Sequence, residues 1–153
     1  MKHLELKLPP VAVTLLFAMA MWGIARVAPP QPLPQVLTLL AAALFTIGSG
    51  VVGIAGIVAF RRAGTTVNPL QPENTSSLVV DGVYRYTRNP MYLALLMLLF
   101  AWGITLSNPW SMLLAWTFIP YMNRFQIGPE EQAMLRRYGA EFLNYAARVR
   151  RWI

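Results

Sequence analysis

The sequence contains no cysteine and only one histidine, His3. Without cysteine the chain has no disulfide framework, no thiolate nucleophile and no thiolate metal site. A single histidine near the start does not supply a histidine-built metal centre or acid–base pair. We therefore expect no bound metal.

Charged residues are also scarce, at 12% of the chain against about 25% in ordinary soluble domains. No charged residue lies between Lys7 and Arg26, between Arg26 and Arg61, or between Arg88 and Arg124. A helix that spans a bilayer needs about 20 mostly apolar residues, so this pattern predicts an integral membrane protein rather than a soluble all-α core. The first apolar stretch exceeds a signal-peptide core of about 7–15 residues, and we expect it to be retained as a span.

Four transmembrane helices are predicted, at residues 9–28, 35–60, 91–106 and 110–123. The prolines between the first two spans break the helix, because each one removes a backbone donor and fixes φ. The last charge-free stretch would form a helix of about 52 Å, although a hydrocarbon core measures about 30 Å. Ser107-Asn108-Pro109 is therefore expected to divide it into a short hairpin. The glycines of the second span allow a close helix contact, which we predict to lie within the bundle rather than between two copies of a dimer.

Two polar segments remain, a connection over residues 61–89 and a tail over residues 129–149. A connection of this length is usually either functional or disordered, and an apolar strip at residues 78–80 favours an ordered one. In the tail, apolar residues recur at spacings of three and four, which predicts one amphipathic helix that lies along the membrane surface or caps the bundle. They are Met134, Tyr138, Phe142, Tyr145 and Val149. The predicted fold is all-α, a single domain over residues 1–153.

Basic residues are distributed unevenly between the two sides that four spans would create. All of them except Arg26 fall on the side of the termini and the 61–89 connection. The positive-inside rule therefore predicts a multi-pass protein of the cell (inner) membrane, with both termini cytoplasmic. Topology and anionic membrane lipid account for the net charge of +7, so no nucleic-acid partner is expected.

The most informative polar segment runs from Asp81 to Tyr92 and leads into the third span. Gly82 permits a turn, and Pro90 suits the first turn of a helix whose N-terminus can receive a polar or anionic group. A simple membrane anchor with interfacial tyrosines fits the same pattern. A second cluster, residues 123–131, ends in a pair of carboxylates. The hairpin would bring both clusters to one cytoplasmic corner, where they can bind a zwitterion.

In order and spacing, these clusters and the tail resemble the isoprenylcysteine carboxyl methyltransferase family, which is related to the membrane phospholipid N-methyltransferases. The resemblance spans about residues 61–150. Its motifs are Gly82-Val83-Tyr84, Arg88-Asn89-Pro90-x-Tyr92, Glu130-Glu131, Tyr138-Gly139, Phe142, Tyr145 and Arg148-Val149. It implies S-adenosylmethionine-dependent methyl transfer at the cytoplasmic membrane face. The acceptor would be lipophilic, with a carboxylate, thiol or amine as the accepting group.

The resemblance also implies a cofactor pocket and an acceptor side. The predicted cofactor contacts are Leu78, Val79, Tyr84, Arg88, Asn89, Pro90, Tyr92 and Glu130, with Asn68 added from its polar setting. A carboxylate suits the ammonium of the cofactor's methionine part, and aromatic faces suit its sulfonium. Arg124 and Gln126 are predicted to face the acceptor.

Two positions depart from the family pattern. Asn89 stands where the family has histidine, which removes a titratable group but keeps a hydrogen-bonding side chain. Gln126 stands where the isoprenylcysteine enzymes carry an arginine for the substrate carboxylate, and glutamine does not neutralise a carboxylate. These changes leave a second hypothesis open, a catalytically degenerate membrane scaffold or subunit of the same fold. A transporter is disfavoured, because no charged residue lies at mid-membrane depth.

Overall fold

The computed structural model describes residues 8–64 and 78–153, and within them it is helical without β-strands. Four apolar helices come first: α1 (Pro10–Val27), α2 (Gln35–Arg62), α3 (Pro90–Thr105) and α4 (Pro109–Met122). A 3₁₀ turn (Gly82–Arg85) precedes α3, and a π-helical turn (Asn123–Ile127) follows α4. Two short helices, α5 (Gly128–Tyr138) and α6 (Ala140–Arg148), complete the described chain. Asn68, a predicted cofactor contact, lies outside the described residues. So do Lys2 and Lys7, two of the basic residues that predict the cytoplasmic side.

The apolar helices begin and end within two residues of the predicted bounds. Proline occupies the first turn of α1, α3 and α4, where its missing N–H has no helical partner to lose. Two helices, α1 with 18 residues and α2 with 28, are long and apolar enough to cross a bilayer. This fits a membrane protein. The shorter helices α3 and α4 have 16 and 14 residues, and the four-span topology stays a prediction.

Helix α3 is the central element, because α2 packs along one of its sides while α1 and α4 pack on the other. The glycines of α2 make the first contact close. A Cβ atom built at Gly53 would lie 3.3 Å from the Ala94 Cβ, and one at Gly56 would lie 3.3 Å from Pro90 Cγ. The Ser49 hydroxyl donates a 2.8 Å hydrogen bond to the Ala94 carbonyl across the same contact. These contacts confirm that the small residues of α2 pack within the bundle.

The core lies where α1, α3 and α4 meet, and its fully buried side chains include Met21, Leu99, Phe118 and Met122. The Phe17 ring of α1 packs edge-on against Phe118 at a centroid distance of 5.4 Å. The outward faces of α1 and α2 are also apolar, which is the distribution expected when the surrounding solvent is lipid rather than water.

We call one end of the bundle, residues 28–31 and 105–111, the turn end. Hydrogen bonds from uncharged polar side chains hold its helix connections together. Asn108 is 3% exposed; its Oδ1 accepts hydrogen bonds from the Trp110 and Ser111 amides, and its Nδ2 donates to the Ala28 carbonyl at 3.2 Å. The Ser111 hydroxyl donates to the Met21 carbonyl at 2.7 Å. These bonds close the turn end without any charged side chain.

The tail differs from its prediction. One continuous helix over residues 129–149 was expected, but the structure divides the segment at Gly139, which has a positive φ of 52°. Glycine adopts this conformation without the Cβ clash that a larger residue meets, so it ends α5 and redirects the chain. Phe142 and Tyr145 of the predicted apolar face are buried after the break.

Candidate functional site

The polar groups of interest lie at the opposite end, which we call the site end (residues 84–92, 123–131 and 145–153). Gly82, with a φ of 64°, begins the 3₁₀ turn that carries Tyr84 inward. The Tyr84 ring packs edge-on against Phe60 at 5.4 Å, and its carbonyl accepts a 2.8 Å hydrogen bond from the Tyr145 hydroxyl. Burial, and then the charges of Tyr145 and Glu130, raise the pKa of the Tyr84 phenol. Tyr84 thus remains a neutral group that joins α2 to α6.

Arg88 is held almost entirely by the protein. Its side chain is 13% exposed, and its Nη2 lies 2.6 Å from Glu131 Oε1. Its Nη1 donates to the Ala146 carbonyl at 2.9 Å and also to the Val149 carbonyl. Both terminal nitrogens of Arg88 are therefore engaged with the C-terminal part of the chain.

Asn89 and Pro90 form the junction with α3. The Asn89 Nδ2 donates a 2.9 Å hydrogen bond to the Arg151 carbonyl. Pro90 is buried against Gly56 and begins the helix. The amide that replaces the family's histidine therefore contacts the chain's own backbone.

Tyr92 and Glu130 are brought into direct contact. Tyr92 is 6% exposed, and its hydroxyl donates a hydrogen bond to Glu130 Oε1. Burial raises the pKa of the Glu130 carboxyl to about 8; the Tyr92 hydrogen bond opposes this rise, and the charge of Glu131 adds to it. The sequence predicted this meeting of residues from the two clusters, and the structure brings them together.

The adjacent carboxylate behaves in the opposite way. Burial alone would raise the pKa of Glu131, but hydrogen bonds from Arg151 and Arg88, together with their charges, lower it. Arg151 Nη2 lies 2.6 Å from Glu131 Oε2, and the side chain of Glu131 is 19% exposed. Glu131 therefore keeps its negative charge between two guanidiniums.

The two residues predicted to face the acceptor are placed differently from each other. Arg124 is exposed, with its guanidinium 5.5 Å from the centre of the Phe125 ring. Gln126 is 1% exposed, and its Nε2 donates a 2.6 Å hydrogen bond to the Leu8 carbonyl. The Gln126 Oε1 is buried, and within residues 8–64 and 78–153 it has no hydrogen-bond partner. Both residues belong to the π-helical turn, a rare element that often occurs at functional sites.

Leu78 and Val79 contribute to a cavity of about 430 Å³ between the end of α2 and residues 78–83. Its walls are mostly alanine, valine and leucine, with Arg62 and Asp81 as the charged members. Val79 is 9% exposed. The apolar walls of the cavity suit an uncharged group, and the carboxyl of Glu130, once ionised, suits a cationic one.

Sequence reasoning missed two residues of the site end, Arg151 and Trp152. Arg151 completes the pairing of Glu131, and the Trp152 indole donates a 3.0 Å hydrogen bond to Asn123 Oδ1 while it packs against the core. Both are near the end of a basic tail, where arginine and tryptophan are also typical of a membrane anchor. A local pattern does not distinguish the two roles.

The family profile described as phospholipid methyltransferase matches residues 36–141, which is more than half of the chain. A protein of Haemophilus influenzae, described as an uncharacterized protein, is 41% identical over 63 residues, which are 41% of this chain and the whole of that protein. No solved structure matches the chain.

Proposed function

The chain belongs to the phospholipid methyltransferase family, and we propose from this premise that it is an integral membrane methyltransferase that uses S-adenosylmethionine. Membership confirms the resemblance to the membrane methyltransferases drawn from the sequence. The isoprenylcysteine carboxyl methyltransferase type, the cofactor and the acceptor are finer assignments, and they belong to the proposal. The observation that carries it is the Tyr92–Glu130 pair, which lies within the matched residues.

The residues of the site end fit the proposed cofactor. Glu130, once ionised, provides a carboxylate for an ammonium group, and Tyr92 orients that carboxylate from the start of α3. The cavity beside Leu78 and Val79 provides apolar walls for the nucleoside. When bound, S-adenosylmethionine supplies an electrophilic methyl group on its sulfonium. The protein's own contribution is to align donor and acceptor and to exclude water.

The hydrogen bonding of Gln126 indicates which chemical group of the acceptor receives the methyl group. Because a carbonyl oxygen only accepts hydrogen bonds, the Gln126 atom beside the Leu8 carbonyl must be the donating Nε2. The remaining atom, the buried Oε1, accepts hydrogen bonds and cannot pair with an ionised carboxylate. An amine can donate to it. We therefore favour a lipophilic amine among the carboxylate, thiol and amine acceptors, with Gln126 on the acceptor side and Arg124 at the exposed rim.

A binding measurement tests the cofactor assignment. Glu130→Ala removes the proposed partner of the ammonium and should weaken S-adenosylmethionine binding by about 100-fold or more, measured by calorimetry on detergent-solubilised protein. Glu141→Ala is the matched control, because Glu141 is an exposed carboxylate in α6. Equal binding by Glu130→Ala and the unaltered protein would exclude this site.

The acceptor is tested by transfer of a labelled methyl group into membrane-lipid fractions. We expect incorporation into amine-bearing lipids, and Gln126→Leu should reduce it without abolishing cofactor binding. Gln126→Arg should shift incorporation toward acidic lipids, because arginine pairs with carboxylates. Incorporation only into acidic lipids by the unaltered protein would contradict the amine assignment.

The proposed topology has four spans with both termini in the cytoplasm, which places the site end at the cytoplasmic face. Because the chain has no cysteine, single-cysteine variants report their side without background labelling. Thr105→Cys at the turn end and Glu141→Cys in α6 should react with impermeant reagents from opposite sides of the inner membrane. Labelling of both from one side would contradict four spans.

A catalytically degenerate scaffold is the second candidate, and one observation favours it. Asn89 and Gln126, the two departures from the family pattern, both donate hydrogen bonds to backbone carbonyls of this chain. Such contacts serve structure whether or not a cofactor is present. A scaffold should bind no S-adenosylmethionine, so the calorimetric measurement separates the two functions.

A further inference from the structure

Residues 149–153 follow the last helix as an irregular segment that we call the C-terminal strap. Val149 leaves the helical conformation, with φ −120° and ψ 133°, and the strap then lies along residues 87–89. Three hydrogen bonds join them: from Arg88 N to Arg150 O (2.9 Å), from the Thr87 hydroxyl to Arg151 O (3.1 Å), and from Asn89 Nδ2 to Arg151 O (2.9 Å). The strap is thus attached to the segment that leads directly into α3.

Glu131 joins the strap to α5. Its carboxylate accepts from Arg151 at 2.6 Å and from Arg88 at 2.6 Å, so one carboxylate connects three segments of the chain. Bidentate and charge-assisted hydrogen bonds of this kind hold geometry more firmly than neutral ones. Glu130 is adjacent to Glu131 in the chain, so the contacts of Glu131 also hold the Glu130 backbone in place.

Trp152 provides the third attachment. Its indole nitrogen donates to Asn123 at the beginning of the π-helical turn, and its ring packs against the core. The strap therefore contacts three of the segments that carry proposed site residues: the approach to α3, the π-helical turn and α5. It lies beyond the residues that the family profile matches.

We propose that the C-terminal strap positions the start of α3 against α5, so that Tyr92 meets Glu130, and that Arg88, Asn89 and Glu131 are positioning residues rather than cofactor contacts. This inference rests on the proposed function for the identity of the ligand. The terminal nitrogens of Arg88, the Nδ2 of Asn89 and both oxygens of Glu131 already have partners in the chain. The buried Arg88 Nε has no hydrogen-bond partner within the described residues. Glu130, whose Oε1 accepts from the Tyr92 hydroxyl, is proposed as the direct contact of the cofactor, with Tyr92 orienting it.

The test compares strap variants with matched controls. Glu131→Gln removes the negative charge between Arg88 and Arg151. Glu141→Gln, in α6, is its control. Trp152→Ala removes the anchor of the strap, with Trp110→Ala as its control at the exposed start of α4. For each purified protein, S-adenosylmethionine affinity is measured by calorimetry from pH 6 to pH 9, and hydrogen exchange is measured over residues 88–93.

Both strap variants should bind S-adenosylmethionine roughly tenfold or more weakly, since small misplacements of binding groups have large effects. Exchange over residues 88–93 should accelerate in both variants. The pH at which binding is half-maximal should fall in Trp152→Ala, because water then reaches Glu130. In Glu131→Gln the loss of the neighbouring charge lowers this midpoint as well, so Trp152→Ala is the variant that decides this readout. A residue that only stabilises the fold would change the folded fraction and not this midpoint. Trp152→Phe keeps an aromatic ring against the core but loses the donor to Asn123, so it should restore only part of the affinity.

Two outcomes overturn the inference. The first is an unaltered protein that binds S-adenosylmethionine while Glu131→Gln and Trp152→Ala bind it equally well with the same pH midpoint. The second is unchanged exchange over residues 88–93 in both variants. If the unaltered protein binds no S-adenosylmethionine, the proposed function fails, and the exchange measurement alone decides whether the strap positions the start of α3.

Discussion

The two ends of the helical bundle hold their helix ends and connections together with different chemistry. At the turn end, Asn108 and Ser111 satisfy the helix termini with neutral hydrogen bonds. At the site end, partly buried ion pairs connect the segments, because Glu131 pairs with both Arg88 and Arg151. The turn end shows that ions are not needed to connect these helices.

This difference indicates where function lies. Removing ions from water is costly, and a buried ion pair is often no more stabilising than apolar packing. Among residues 8–64 and 78–153, partly buried ion pairs occur at the site end and not at the turn end, which points to a role beyond stability. Within that end the two adjacent carboxylates also differ: Glu131 keeps its charge, whereas burial favours the protonated form of Glu130.

The largest expected effect tests that contrast between carboxylates. A cationic ligand selects the ionised form of Glu130, whose pKa is about 8, so S-adenosylmethionine binding should strengthen by up to about tenfold per pH unit below that value. Between pH 6 and pH 8 the change should be about 50-fold, because half of Glu130 is ionised at its pKa. Calorimetry in buffers of different ionisation enthalpy should detect nearly one proton released per cofactor bound below pH 7.

Stability supplies the control, because its pH dependence has the opposite sign for the two carboxylates. The folded chain retains a proton on Glu130 that the unfolded chain releases above about pH 4.5, so the free energy of unfolding falls as pH rises toward 8. Glu131 contributes stability above its ordinary pKa, and this is lost as pH falls. Glu130→Gln should remove the first dependence only, and its persistence in that variant would refute the assignment.

Much of the site end was predictable from the sequence, but only where a pattern of neighbouring residues marks the structure. Charge-free lengths and prolines located the four apolar helices, and the turn at Ser107–Pro109 brought Glu130 toward Tyr92. The break at Gly139 was missed, because the apolar spacing across it fits one helix, and a glycine within such a pattern is ambiguous. The strap was missed because an irregular segment that is held by hydrogen bonds to distant residues leaves no periodic pattern in the sequence.

A smaller effect is expected at the turn end. Asn108→Ala removes the N-cap of α4 and the donor to Ala28, and it should lower the free energy of unfolding by about 2 kcal/mol. Unfolding in mixed detergent micelles measures the loss. Asn108→Ser keeps the cap but not the donor and should recover part of it, while the exposed Asn144→Ala should lose little. Weaker cofactor binding by folded Asn108→Ala would mean that the two ends are not separate in function.

The smallest effect is expected where the site end uses a neutral bond of the kind found at the turn end. Tyr145→Phe removes the donor to the Tyr84 carbonyl and keeps the ring, so the free energy of unfolding should fall by about 1 kcal/mol. Tyr86→Phe, at a 78% exposed tyrosine, is the control. Cofactor affinity should change less than twofold, because Tyr84 stays packed on Phe60. A tenfold loss of affinity would show instead that the neutral bonds of the site end also set the geometry of the pocket, and that the ions are not its only determinants.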